Sequence, residues 1–139
     1  MVNIVDQIKE ITMKVTEYGK IVRKARIDAD LTMLDMAEDL GVSSAYLSAL
    51  EVGRKRVPEN FLGKVINYLK AKVPSLDEDK LRDSVAISNN SIPVEGLSVD
   101  HQFLVAGFAR TNMSQADLDD FQNLLAKVRS KNEQKDIQG

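Results

Sequence analysis

Arg54, Lys55 and Arg56 stand in a row just after Gly53 and two residues before Pro58. Three consecutive cations on a short loop are well placed for phosphate oxygens, and a guanidinium also has the reach for a base edge. Thr32, opening the stretch "TMLDMAEDL", marks a second anion-binding candidate. There the free N–H groups of a helix's first turn, helped by the helix dipole, favour negative charge. Lys20, Arg23, Lys24 and Arg26 give a third basic stretch, although a charged helix face is more often only a solvated one.

Other chemistries find little support. His101 is the one histidine and cysteine is absent, so no zinc site, thiolate nucleophile or disulfide is expected, which fits a reducing cytoplasm. Asp117, Asp119 and Asp120 cluster where a helix begins, and carboxylates there complement the dipole. No nucleophile–base pair, Gly-rich phosphate loop or HExxH stands out, so neither an enzyme nor a cofactor is expected. The chain has 139 residues, 43% hydrophobic and 29% charged, with no Trp, which suits a helical protein packed by aliphatic side chains. No apolar run approaches the roughly 18 residues of a membrane span. The net charge of −2 hides an asymmetry: residues 1–74 carry about +2 and residues 75–139 carry −4. Any basic surface must be local.

The elements that must position these groups read as helices. Ile4, Ile8, Ile11 and Val15 form one apolar stripe at helical spacing. Thr16 can cap a second helix with Tyr18, Ile21, Val22 and Ala25 facing inward, unless the two run on as one; Gly19 opposes that by only about 1 kcal/mol. Thr32 and Asp35 resemble a capping box, so a helix starts at Met33. It stops at Leu40, where Gly41 supplies a left-handed C-cap, and Ser43 caps the next helix, "SAYLSALE". Pro58 suits the first turn of another.

Two short helices joined by a tight Gly turn cross steeply. That crossing needs a small residue on the first helix, Ala37, and Gly four residues later, Gly41. It also needs apolar residues ten and thirteen after Ala37, Leu47 and Leu50. Leu34, Met36 and Leu40 fill the space beneath. This spacing closely resembles the helix-turn-helix of the Xre/lambda-repressor-like (Cro/C1-type) family. The likeness spans about residues 18–69 and includes the basic first helix, "LT" before the second, and "LE-x-G-(basic)-x-P" after the third.

The resemblance implies a transcriptional regulator, typically a homodimeric repressor of prokaryotic or phage type, with double-stranded DNA as partner and the third helix in the major groove. The base-reading positions would be Ser43, Ser44, Ala45, Tyr46, Ser48 and Ala49. Well-known relatives often carry Gln, Arg or Asn there, which make bidentate bonds to bases. Hydroxyls, methyls and one Tyr read bases weakly. Phosphate contacts would fall to Thr32, Met33, Lys24, Arg54, Lys55 and Arg56. Met33 replaces the Gln often found in the family, removing one polar contact.

One such module makes too few contacts for useful specificity, so a dimer interface is expected outside it. The N-terminal stripe (Ile4, Ile8, Ile11) is one candidate, with docking on its own domain equally open. The C-terminal part is the other. A short helix over 77–86 leads to "SIPVE", whose Ile92 and Val94 alternate like a strand; then come two amphipathic helices forming a hairpin. Phe103 and Phe108 line the first of these helices; Leu118, Phe121 and Leu125 line the second. The expected architecture is all-α: an N-terminal helix (1–16), a lambda-repressor-like bundle (17–74), and a C-terminal dimerisation or partner region (75–139) with a helical hairpin and one candidate β-strand. Competing readings are an antitoxin whose C-terminal half masks a toxin, or an interaction module that has lost DNA binding; the possible protein partner is a toxin or an antirepressor.

Overall fold

The computed structural model describes residues 3–5 and 14–138. Among these residues it contains seven helices and no strand: α1 (Glu17–Asp28), α2 (Met33–Leu40), α3 (Ser44–Glu51), α4 (Glu59–Lys72), α5 (Glu78–Ser88), α6 (Val99–Arg110) and α7 (Gln115–Gln138). The chain divides into two compact units, residues 1–93 and 94–139.

Local chemistry sets the helix ends. The Thr16 hydroxyl accepts the Gly19 N–H at 3.0 Å, so α1 starts at Glu17 instead of running on from the residues before it. Thr32 and Asp35 form the full capping box of α2. Gly41, at φ 71° and ψ 32°, closes that helix in the left-handed region that a Cβ resists. Ser43 caps α3 by accepting the Tyr46 N–H at 3.0 Å. Pro58 is the N-cap of α4 and not part of its first turn.

The first unit is built around a core in which Val22, Met36, Val65, Leu69 and Leu81 are fully buried. Ala37, Leu47 and Leu50 are buried with them, as the turn spacing predicts. Leu34 is not: it is exposed, because two residues of helical turn carry it about 160° around α2 from the buried Met36. The larger difference concerns α5. Leu81, Ser84 and Val85 are buried and the Tyr18 N–H donates to Ser88 Oγ at 3.2 Å, so residues 75–93, expected with the C-terminal region, belong to the first unit. "SIPVE" is irregular, with Ile92 and Val94 exposed; Pro93 lacks the N–H a ladder needs. Of the N-terminal stripe, Ile4 is exposed, and Ile8 and Ile11 lie outside the described residues.

In the second unit, α6 and α7 are joined by a short turn beside which Phe108 and Phe121 meet edge to face, centroids 5.2 Å apart. No residue from 94 to 136 is buried.

Candidate nucleic-acid interface

Helix α3 turns Leu47, Leu50 and Glu51 into the core. Ser44, Ser48 and Ala49 are left half-buried and Ala45 exposed. Ser43 lies at the exposed start of the helix, its hydroxyl engaged in the cap but still able to donate. Tyr46 packs: its ring stands edge-on to Phe61 of α4, centroids 5.3 Å apart, and the Lys55 ammonium lies 5.7 Å from its ring centre. Five of the six expected reading positions are thus small side chains on one short helix, and the sixth is held against α4.

The basic loop is tethered at both ends. At the first, the N–H groups of Arg54 and Lys55 both donate to the Ala49 carbonyl, at 2.9 and 3.2 Å, folding the loop over the end of α3. Gly53 allows this reversal with φ +77°. At the second, Asn89, the C-cap of α5, pairs with the backbone of Val57. Its Oδ1 accepts the Val57 N–H at 3.0 Å and its Nδ2 donates to the Val57 carbonyl at 3.3 Å. Arg56 Nη1 also donates to the Asn89 carbonyl, at 3.3 Å. Arg54 and Lys55 are exposed between the tethers. All three cations of the triplet are exposed, and Arg56 is in addition hydrogen-bonded to the end of α5.

At the start of α2, the Thr32 N–H donates to Asp35 Oδ2 at 2.9 Å and the Asp35 N–H donates to Thr32 Oγ1 at 3.0 Å. Two N–H groups of the expected anion site are occupied by this box. The Thr32 N–H, and secondarily its hydroxyl, hold the Asp35 carboxyl below its ordinary range, so that carboxylate stays charged beside any approaching anion. Met33 is half-buried against the core. Lys24 is exposed on α1, a helix away from the loop, while Lys20 pairs with Glu17 at 3.1 Å.

What fixes the presentation of α3 is an ion pair that the sequence patterns do not single out. Arg26 is buried at 6% exposure and Glu51 at 1%. The guanidinium grips the carboxylate through two bonds, Nη1 to Oε2 at 2.7 Å and Nη2 to Oε1 at 2.8 Å. Arg23 Nε adds a third at 3.2 Å. Two of the four α1 cations of the basic stretch thus serve this carboxylate. The Glu51 carbonyl meanwhile accepts from Thr16 N and Oγ1, at 3.0 and 2.9 Å. One residue at the end of α3 clamps both ends of α1. The signal was present in the sequence: Glu51 falls four residues after Leu47, on the core face of its helix, where a carboxylate needs a partner. Asn89 left no comparable trace.

Comparison with known families agrees with this geometry. No curated protein and no solved structure matched the chain. Residues 11–74 match the family model described as Transcription regulator-like HTH domain, so over that stretch the chain carries a helix-turn-helix domain of the transcription-regulator type.

Proposed function

We propose that the chain is a homodimeric, sequence-specific DNA-binding regulator of the Xre/lambda-repressor-like type, a cytoplasmic repressor and not an enzyme, that places α3 in the major groove of a palindromic operator. One observation carries this reading: the outer face of α3 and the exposed Arg54–Lys55 loop are locked to each other through the Ala49 carbonyl. A helix inserted in the groove would bring those cations alongside the flanking phosphates. Two copies about 34 Å apart would read the two half-sites. Thr32 and Lys24 are secondary phosphate candidates, and Arg56, exposed with one bond to the Asn89 carbonyl, is a phosphate candidate that also tethers the loop.

The small side chains of α3 favour one second reading, a domain that keeps the fold and binds a protein partner, such as a toxin, in place of DNA. Titration of the purified chain against a labelled duplex of its own upstream region, at several salt concentrations and with random duplex as competitor, separates the two. Tight binding that survives competitor, with a footprint spanning two half-sites, is expected. Binding that ignores sequence or is absent overturns the operator reading in favour of the second.

A further inference from the structure

We propose that a second copy of this chain covers the exposed apolar face of α7, the two α7 helices lying antiparallel about a two-fold axis near Asn123. The inference rests on the dimeric reading above, but not on DNA contact.

A stretch of 43 residues with no buried side chain, 94–136, gains too little from its own contacts to offset the entropy of ordering it. Helix α7 nevertheless carries a continuous stripe, Leu118, Phe121, Leu125 and Val128, at spacings of three, four and three, each residue still between 39% and 47% exposed even though one edge of Phe121 meets Phe108 of α6. That is the seam of a helix pair. Phe103 and Leu104 of α6 are more than 70% exposed as well.

Charge selects the occupant. Residues 115–126 hold three acids and no base, whereas 127–138 hold four bases and two acids. In a two-fold interface the same surface must complement itself. A parallel pair would set acids on acids; an antiparallel pair sets the acidic half of each helix on the basic half of the other. The register follows from the seam. An axis through Asn123 puts Leu118 against the partner's Val128, Phe121 against the partner's Leu125, and Asp119 against the partner's Lys127.

The test uses the full chain without DNA, by sedimentation equilibrium and native mass spectrometry. The unsubstituted chain is expected at twice its 15.5 kDa. Asp119→Lys/Asp120→Lys and Lys127→Glu/Lys131→Glu are each expected to weaken the dimer at least about tenfold by facing like charges. An equimolar mixture of the two variants restores a dimer that is predominantly mixed, because each chain's altered half then meets its complement. Recovery in the mixture also shows that both variants fold. A dimer that neither variant weakens, or variants that weaken and do not pair with each other, overturn the antiparallel assignment while leaving a dimer formed elsewhere. A chain monomeric at micromolar concentration overturns both the assignment and the dimeric reading, whether the face then docks on its own first unit or takes a different protein.

Discussion

The Arg26 guanidinium and the Glu51 carboxylate face each other in a two-bond fork, 2.7 and 2.8 Å long, at the point where α1 crosses the end of α3. Removing Glu51 leaves the buried Arg26 charge without its carboxylate, which costs about 3–5 kcal/mol. Glu51→Ala is expected to lower unfolding stability by that much in urea titration, and Arg26→Ala by less, because Arg23 still pairs with Glu51. The pair Arg26→Met/Glu51→Leu is expected to regain most of it, since apolar residues of similar volume avoid the desolvation penalty. Arg23, 40% exposed in its side chain, then returns its charge to water. A double substitution no more stable than either single one would show that the ion pair, and not merely the filled space, holds the helices.

Two glycines make a contrasting pair. A Cβ on Gly19 would come within hard contact of the Glu51 carbonyl oxygen and within 3.0 Å of its carbon. That is backbone, which cannot swing aside. A Cβ on Gly63, inside α4, meets nothing within 4 Å. Gly19→Ala is therefore expected to destabilise by roughly 1–3 kcal/mol through overpacking, and Gly63→Ala to stabilise by about 0.5–1 kcal/mol through helix propensity. Thermal unfolding of the two variants beside the parent checks both signs.

These two relationships show where the sequence was legible. Caps and turns depend on residues three or four apart, so Thr16, Thr32, Gly41 and Ser43 could be placed from the chain alone, and the spacing of Ala37, Gly41, Leu47 and Leu50 located the turn. Contacts between distant residues could not be read that way. Gly19 looked like a weak helix breaker because nothing near it in sequence reveals that Glu51 passes over it. Arg56 looked like its two neighbours until Asn89, 33 residues on, appeared beside it. The same holds for α5, which reads as a short polar helix: Leu81, Ser84 and Val85 on its inner face, with Ser88 bonded to Tyr18 and Asn89 to Val57, bind it to partners far away in sequence.

The hydrogen bond from Arg56 to the Asn89 carbonyl predicts unequal roles for the three exposed cations. Arg54→Ala/Lys55→Ala is expected to weaken binding to every duplex alike and to flatten the salt dependence by about 0.9 in log–log slope for each phosphate that is no longer neutralised. Arg56→Ala should change the slope less. Asn89→Ala leaves all three charges in place but frees Val57 from two hydrogen bonds, so it should lower stability by about 1–3 kcal/mol and weaken binding with the slope unchanged. Salt titrations by fluorescence anisotropy distinguish these patterns. Equal slopes for the parent and the Arg54→Ala/Lys55→Ala variant would mean the loop does not lie on the phosphates.

Tyr18 makes the first unit sensitive to alkali. It is 1% exposed, and burial, reinforced by the negative Glu51, drives its phenol well above the ordinary value of 10.0. The folded state therefore keeps the proton while the unfolded chain releases it near pH 10. A raised folded value stabilises fully below the unfolded one, so this contribution is intact at neutral pH and declines as pH rises past 10. The decline is about 1.4 kcal/mol per pH unit until the folded phenol itself ionises. The comparison is with Tyr18→Phe, which removes this phenol and leaves every other charged group in place. Between pH 9 and pH 11 the parent's urea midpoint is expected to fall further than that of Tyr18→Phe, and absorbance at 295 nm should show one more late-ionising tyrosine in the parent than in Tyr18→Phe, since Tyr68, pushed up to about 12 by desolvation and its bond to Asp39, ionises late in both. Parallel losses in the two proteins would mean that the Tyr18 phenol ionises in place and that its surroundings admit water.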